Sequence, residues 1–145
     1  MRISAKGRYA LAVLVRMAQS GAENVLNVTR LSEELGLSRV YLEQVVAPLK
    51  RAGLLLSTKG AQGGYRLAVP PEQVTALDIL RATDTSLLEQ PGKTLLEGQA
   101  PEIEAVLEHV GQRLQDAVEQ TLSGIRLSDL VERAAHAGGN YMFFI

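Results

Sequence analysis

The sequence predicts a mainly α fold: a winged helix-turn-helix domain with a two-stranded β wing, followed by a long dimerisation helix. Three observations predict it. Residues 28–67 read as helix, tight turn, helix and a glycine-tipped hairpin, an arrangement that presents one helix to the major groove of DNA. The basic residues concentrate in the half that holds this stretch. Residues 101–124 carry a helical apolar stripe longer than a small domain needs for its own core.

The elements follow in chain order. Residues 1–20 predict an exposed start and then a helix, with Ala10, Val13, Leu14 and Met17 as its buried stripe. Residues 21–26 read as a loop. From Val28 to Leu35, the spacing of Leu31 and Leu35 predicts a short amphipathic helix. Gly36 follows where a left-handed cap is needed, and Leu37 fills the angle between the helices. Ser38 is placed to cap the next helix through its hydroxyl. That helix spans residues 39–52, with Val40, Leu42, Val45, Val46 and Leu49 as its apolar positions. Pro48 predicts a kink or a weakened last turn, and Gly53 ends it. Residues 54–58 and 65–69 read as the wing strands, and the three glycines between them give a flexible tip.

Pro70 and Pro71 stop the second strand. Thr75 and Asp78 form a capping pattern for a helix through Leu77, Leu80 and Arg81 that ends near Thr83. Residues 84–100 read as irregular. Pro101 suits the first turn of the long helix. There Ile103, Leu107, Val110, Leu114, Ala117 and Thr121 alternate steps of four and three, and Val106, Val118, Leu122 and Ile125 widen the stripe. Such a helix reaches roughly 35 Å. Its expected use is a coiled-coil-like seam with a second copy through Ile103, Leu107, Val110, Leu114, Val118 and Leu122. The competing expectation is a helix laid back on its own domain. Residues 127–135 predict one more short helix, after which Gly138 and Gly139 release an aromatic tail. The implied domains are 1–83 for the winged unit, 84–100 for a loop, 101–137 for the dimerisation and last helices, and 138–145 for the tail.

Composition narrows the function. The 145 residues suit one domain with an extension, and they include no cysteine. Disulfides, thiolate metal sites and cysteine nucleophiles are therefore excluded. No apolar run is long enough to span a bilayer, and the first ten residues do not form a signal peptide, so the expected location is cytoplasmic. The two histidines, His109 and His136, are isolated and read as surface residues. The near-zero net charge hides a division. Residues 1–66 hold ten Lys and Arg against four acids, a net of +6, and the remainder holds five against twelve, a net of −7. A basic half with a helix-turn-helix fits nucleic-acid binding.

Expected DNA contacts fall in four places. The second helix of the pair should turn Ser38, Arg39, Tyr41 and Gln44 toward the groove, with Glu43 beside them. Glutamine pairs with adenine, and arginine with guanine or phosphate. Glu43 lies on the same face and would repel phosphates. Lys59 and Gln62 on the wing tip are placed for a minor groove. Arg2 and Lys6 at the start, and Arg51 at the far end of the helix, are expected on backbone phosphates.

Three segments carry a family resemblance: MRISAKGRYAL at the start, SRVYLEQVVAPLKRAGLL in the middle and STKGAQGGYRLA in the wing. Over about residues 1–135 the chain resembles the Rrf-two family of winged-helix transcription regulators, which includes IscR, NsrR and CymR types. The resemblance implies a homodimer that binds imperfect palindromes in double-stranded DNA, here more as a repressor than an activator. IscR and NsrR types hold an iron–sulfur cluster on three cysteines in the segment matching residues 84–99. With no cysteine there, no cofactor is expected. The CymR type lacks the cluster, ends in a similar aromatic tail closed by isoleucine, and works with cysteine synthase. The resemblance therefore implies a partner-binding tail of Tyr141, Met142, Phe143, Phe144 and Ile145, with control of cysteine or sulfur metabolism. An alternative for the tail is a groove of its own dimer.

Catalysis finds no support in the residues. No nucleophile–base pair or paired carboxylates occur, and the glycines at 60–64 sit between strands, whereas a phosphate loop opens a helix. Two alternatives to the DNA-binding reading stand beside it. One is a winged helix serving only protein interaction. The other is a regulator sensing an unidentified small ligand around residues 84–99.

Overall fold

The structure is a computed structural model. It describes residues 2–143, and the surroundings of side chains as far as residue 138. Its elements are α1 (Ala5–Gln19), α2 (Val28–Leu35), α3 (Arg39–Arg51), β1 (Leu55–Thr58), β2 (Gly64–Leu67), α4 (Ala76–Thr83), α5 (Thr85–Leu88), α6 (Pro101–Ser123) and α7 (Leu127–Phe143). Single 3₁₀ turns cover Pro71–Gln73 and Leu95–Gly98.

Helix α1 is the spine. Ala10, Val13, Leu14 and Met17, the stripe the sequence predicts, are all sealed from solvent. Helices α3, α4 and α7 pack around it. The core continues through Leu31 of α2, through Leu42, Val45, Val46 and Leu49 of α3, and through Leu55 and Leu67 of the wing. Helix α3 continues through Pro48, which is itself buried, to Arg51.

Local chemistry sets the ends of the helix pair. The Asn27 side chain accepts the Arg30 N–H, and the Ser38 hydroxyl accepts the Tyr41 N–H, so each helix starts on a polar cap. Gly36 sits at φ 65°, a left-handed conformation that glycine adopts without strain. There the Leu37 N–H returns to the Ser32 carbonyl at 3.0 Å and closes α2. Thr75 and Asp78 exchange both bonds of the capping box at the start of α4, as the sequence predicts.

The wing strands pair antiparallel, with Leu55 opposite Leu67 and Thr58 opposite Gly64. The expected loop at residues 21–26 contributes more than a connection. Leu26 pairs with Tyr65 through two backbone bonds of 2.9 and 2.8 Å and gives the hairpin a third partner. Gly64 permits this approach. A Cβ there would lie 2.2 Å from the Leu26 carbonyl oxygen.

The second half departs from the sequence reading in three respects. Residues 84–100, expected to be irregular, contain α5 and a 3₁₀ turn. The last helix does not stop near residue 135 but continues through Gly138 and Gly139 to Phe143. A glycine in a helix interior costs only about 1 kcal/mol, which a long packed helix absorbs. Phe144 and Ile145 lie outside the described residues. Finally, α7 joins the winged body. The Ala76 N–H bonds to Ile125 and the Leu127 N–H to Val74, each at 2.8 Å, and Leu127 is fully buried in the core.

The Gly64 approach has a measurable consequence. Gly64→Ala should lower the free energy of unfolding in denaturant by about 2 kcal/mol, because two buried backbone bonds must part. Gly92→Ala, whose added carbon meets nothing within 4 Å, should stay within about 0.5 kcal/mol of wild type.

Candidate nucleic-acid interface

At about 100° per residue, α3 divides into two faces. Leu42, Val45, Val46 and Leu49 are buried on one. Val40, Glu43, Gln44, Ala47 and Arg51 share the opposite one, and all but the half-buried Ala47 are exposed. Gln44 is therefore exposed on the open face. Arg39 and Glu43 stand at the edge of the face and pair at 3.7 Å. Glu43 thus already has a cation beside it on its own helix. Ser38 is exposed, and its hydroxyl holds the first turn of α3.

Two neighbouring residues exchange places relative to expectation. Tyr41 is half-buried, and its ring meets that of Tyr9 edge-on at 5.6 Å and 85°, bracing α3 against α1. Val40, expected in the core, is 68% exposed. Both residues fit an apolar stripe by type. Tyr41 falls one turn before Val45 and two before Pro48, all on the core side, whereas Val40 precedes Gln44 on the open side.

A polar groove of about 460 Å³ separates the start of α2 and α3 from the wing. Arg39 and Glu43 form one wall, and Ser57, Thr58 and Tyr65 another. Asn27 and Thr29 close the end. The sequence reading missed these last two. Their signal was the Asn27 cap, which fixes the first turn of α2 beside the groove. Lys59 and Gln62 are exposed on the hairpin tip, next to Gly60, Ala61 and Gly63, which line the groove.

Arg2 lies elsewhere. With Ile3 it borders an apolar groove of about 520 Å³ formed with Leu87, Leu114, Val118 and Leu122. It shares no wall with the α3–wing groove. Lys6 is half-buried and Arg8 exposed on the first turn of α1. Arg16 and Arg30 both reach Glu34, at 3.6 and 2.9 Å. Among the described residues, no ion pair holds Arg2, Lys6, Arg8, Lys50, Arg51, Lys59 or Arg66.

Helix α6 leaves its first half largely uncovered, and its later turns lie against α4 and α5. Ile103, Val106, Leu107, Val110 and Leu114 are 44–62% exposed, and the buried residue of this helix is Glu104. Val118 and Leu122 are half-buried beside α5 and the chain start. Arg81 of α4 holds Glu119 at 3.1 Å. His109 and His136 are both exposed, as expected.

The segment ahead of α6 is fastened by carboxylates. Glu104 accepts the backbone N–H and the hydroxyl of Thr94, and these bonds hold its carboxyl below the usual range. Lys93 bridges Glu97 and Glu108 at 2.7 and 3.8 Å, and the Glu97 bond raises its ammonium above its ordinary value. At the other end, Asp84 is buried. It accepts the Ser4 N–H at 2.6 Å and the Ser86 hydroxyl at 2.9 Å, which ties α4 to the first turn of α1. Burial alone would push the Asp84 carboxyl up. The bonds from Ser4, Ser86 and Leu87 outweigh it and set the value below the ordinary 3.8.

The family model described as "iron-dependent transcriptional regulator" (Rrf2) matches residues 3–133. The chain belongs to the Rrf2 family. It is 34% identical over its whole length, and the whole length of the relative, to the transcriptional regulator CymR of Bacillus subtilis. The structure of that CymR, described as a global cysteine regulator, superposes with a TM-score of 0.72 over 92% of this chain and 98% of the other. An IscR structure from T. potens gives 0.73 at 31% identity, over 94% and 90% of the two chains. An oxidised CymR structure from Staphylococcus aureus gives 0.70 at 36% identity, over 91% and 97%. The chain is thus an Rrf2-type transcriptional regulator with a DNA-binding winged-helix fold. No helix among the described residues is long and apolar enough to cross a membrane.

The family description invokes iron, and the residues here do not fit a thiolate-held cluster. The chain has no cysteine. Glu104 of α6 is already committed to Thr94, and in the segment before the helix Lys93 places a cation between two carboxylates. Among the described residues, no cluster of three His, Asp or Glu is arranged to hold a metal.

The Asp84 tie gives a pH dependence with a defined sign. A carboxyl held below its ordinary value stabilises the fold fully above about pH 5. That contribution is lost as the pH falls through the ordinary range toward the lower folded value. The melting temperature of the wild type should therefore fall more steeply between pH 5 and 3 than that of Asp84→Asn, which keeps an acceptor but no titrating charge. Circular dichroism melts across this range check it.

Proposed function

We propose that the protein is a homodimeric, sequence-specific repressor that works without an iron–sulfur cluster. Its two α3 helices read an imperfect palindrome in double-stranded DNA. The observation that carries this reading is the open face of α3, where Gln44 and the Arg39–Glu43 pair stand beside a polar groove floored by the wing. Glutamine offers a donor and an acceptor that match the N6 and N7 edge of adenine. Lys6, Arg8 and Lys59 supply unpaired cations for phosphates on either side, and Arg51 supplies one about 18 Å along α3 from Arg39. Arg2 sits against α6 and would meet DNA only beside the dimer seam.

The uncovered stripe of α6 supports the dimer. Ile103, Leu107, Val110 and Leu114 are exposed at coiled-coil spacing, and Val118 and Leu122 extend the same surface into the groove beside Ile3 and Leu87. A second α6 covers this surface and presents the two reading faces in the two-fold relation that a palindrome requires.

The test compares DNAs. Gln44→Ala should weaken binding to a selected operator by about tenfold or more, and binding to random duplex by less than about twofold, in parallel gel-shift titrations. Equal losses on both would remove the base-reading role.

A second reading concerns regulation. The end-to-end similarity to a cysteine regulator favours control of cysteine or sulfur metabolism, with residues 141–145 as the contact for cysteine synthase. Entry of the Ile145 carboxylate into that enzyme's cleft, where hydrogen bonds for a substrate carboxylate would hold it, is the expected mode. Deleting Phe144 and Ile145 should abolish co-purification with cysteine synthase and leave the dimer unchanged in sedimentation. Retained co-purification would overturn this assignment and leave the DNA reading intact.

A further inference from the structure

We propose that Val40 reads the 5-methyl group of a thymine in the operator, next to the base read by Gln44. The inference rests on the DNA-reading role of α3 and names a specificity-determining residue within it.

Four observations carry it. Val40 is 68% exposed, more than any other large apolar side chain of the winged half. It lies at the middle of the open face, three and four residues before Glu43 and Gln44 and opposite the buried line of Leu42, Val45 and Leu49. It is the second residue of the helix after the Ser38 cap, and side chains on a helix lean toward its N-terminus. The N-terminal end of a recognition helix is the part that meets base edges. Finally, its neighbours are polar or charged: Ser38, Arg39, Glu43 and Gln44. Among the described residues, Val40 belongs neither to the buried core nor to the side chains packed against that core.

In the major groove, one base presents a methyl group, and that base is thymine. A branched aliphatic side chain cannot exchange hydrogen bonds with any base edge, so its favourable contact is removal of that methyl from water. Over guanine, cytosine or adenine, the same side chain would cover donors and acceptors without pairing them. Val40 therefore both selects thymine and rejects its competitors. Gln44 stands four residues on, about 6 Å along the helix axis, so the two bases fall within about two base pairs of one another.

The experiment removes one methyl group at a time. The full-length protein selects operators from a random-core duplex library. Gln44→Ala locates the position whose preference depends on Gln44. Thymines within two base pairs of it are then replaced by deoxyuridine, which deletes the 5-methyl group and leaves base pairing unchanged. Wild type should lose about fourfold in affinity per substituted half-site. Val40→Ala should bind the thymine operator more weakly and show less than about 1.5-fold difference between thymine and uracil. Because Val40 is exposed and alanine favours helix, the variant should melt as wild type does. The inference is overturned if wild type ignores the missing methyl, if Val40→Ala is as sensitive to it as wild type, or if no thymine is selected there. Failure to enrich any sequence would instead overturn the base-reading role of α3, and this inference with it.

Discussion

The burial of α1 is the constraint on which the rest of the molecule depends. Ala10, Val13, Leu14 and Met17 are buried, and they are covered by α3, α4 and α7. Each of those helices carries a different task. Helix α3 bears the open polar face, α4 holds α6 through Arg81, and α7 brings the chain back to the core at Leu127. Packing them on one spine fixes their mutual angles, because close-packed interiors do not deform continuously. The Tyr9–Tyr41 contact and the Asp84–Ser4 bond sit at the margin of this core. They extend its rigidity to the first turns of α3 and α1.

Electrostatics divides the same body without dividing its core. The first 66 residues carry +6 and the remainder −7. Along α2 and α3 the glutamates are used locally: Glu34 serves Arg16 and Arg30, and Glu43 serves Arg39. In the second half, carboxylates hold the approach to α6 in place through Thr94 and Lys93. Hydrogen bonds and an ion pair fasten that stretch. The charge separation also keeps the acidic half from competing for the polyanion that the basic half attracts.

Much of the winged unit was legible because its signals are local. Caps at Ser38 and Thr75, the left-handed Gly36 and the 3.6-residue stripe of α1 each act within a few residues, so the sequence states them directly. What was hidden depends on partners distant in the chain. Leu26 looks like a loop residue until Tyr65 lies beside it, and residues 125–127 look like a connector until residues 74–76 pair with them. Val40 and Tyr41 are both apolar enough for a core, and the tertiary position of Tyr9 decides which one enters it. Asp84 and Glu104 are ordinary surface residues by composition. Their burial follows from the N–H groups of Ser4 and Thr94 that fold places over them. Gly138 and Gly139 mark a helix end by propensity, which continuing backbone hydrogen bonds override.

The wing is attached at its root and not at its tip. Tyr65 and Gly64 are clasped by Leu26, whereas Lys59, Gly60, Ala61 and Gln62 are exposed beyond the last strand pair. Side-chain freedom at the tip therefore belongs to Lys59, Ala61 and Gln62, whereas Gly60, at φ 107°, and Gly63, whose Cβ would lie 2.3 Å from the Thr58 carbonyl oxygen, are held to glycine by the turn itself. Changes at those three exposed positions leave both the Leu26 joint and the helix beside it as they are.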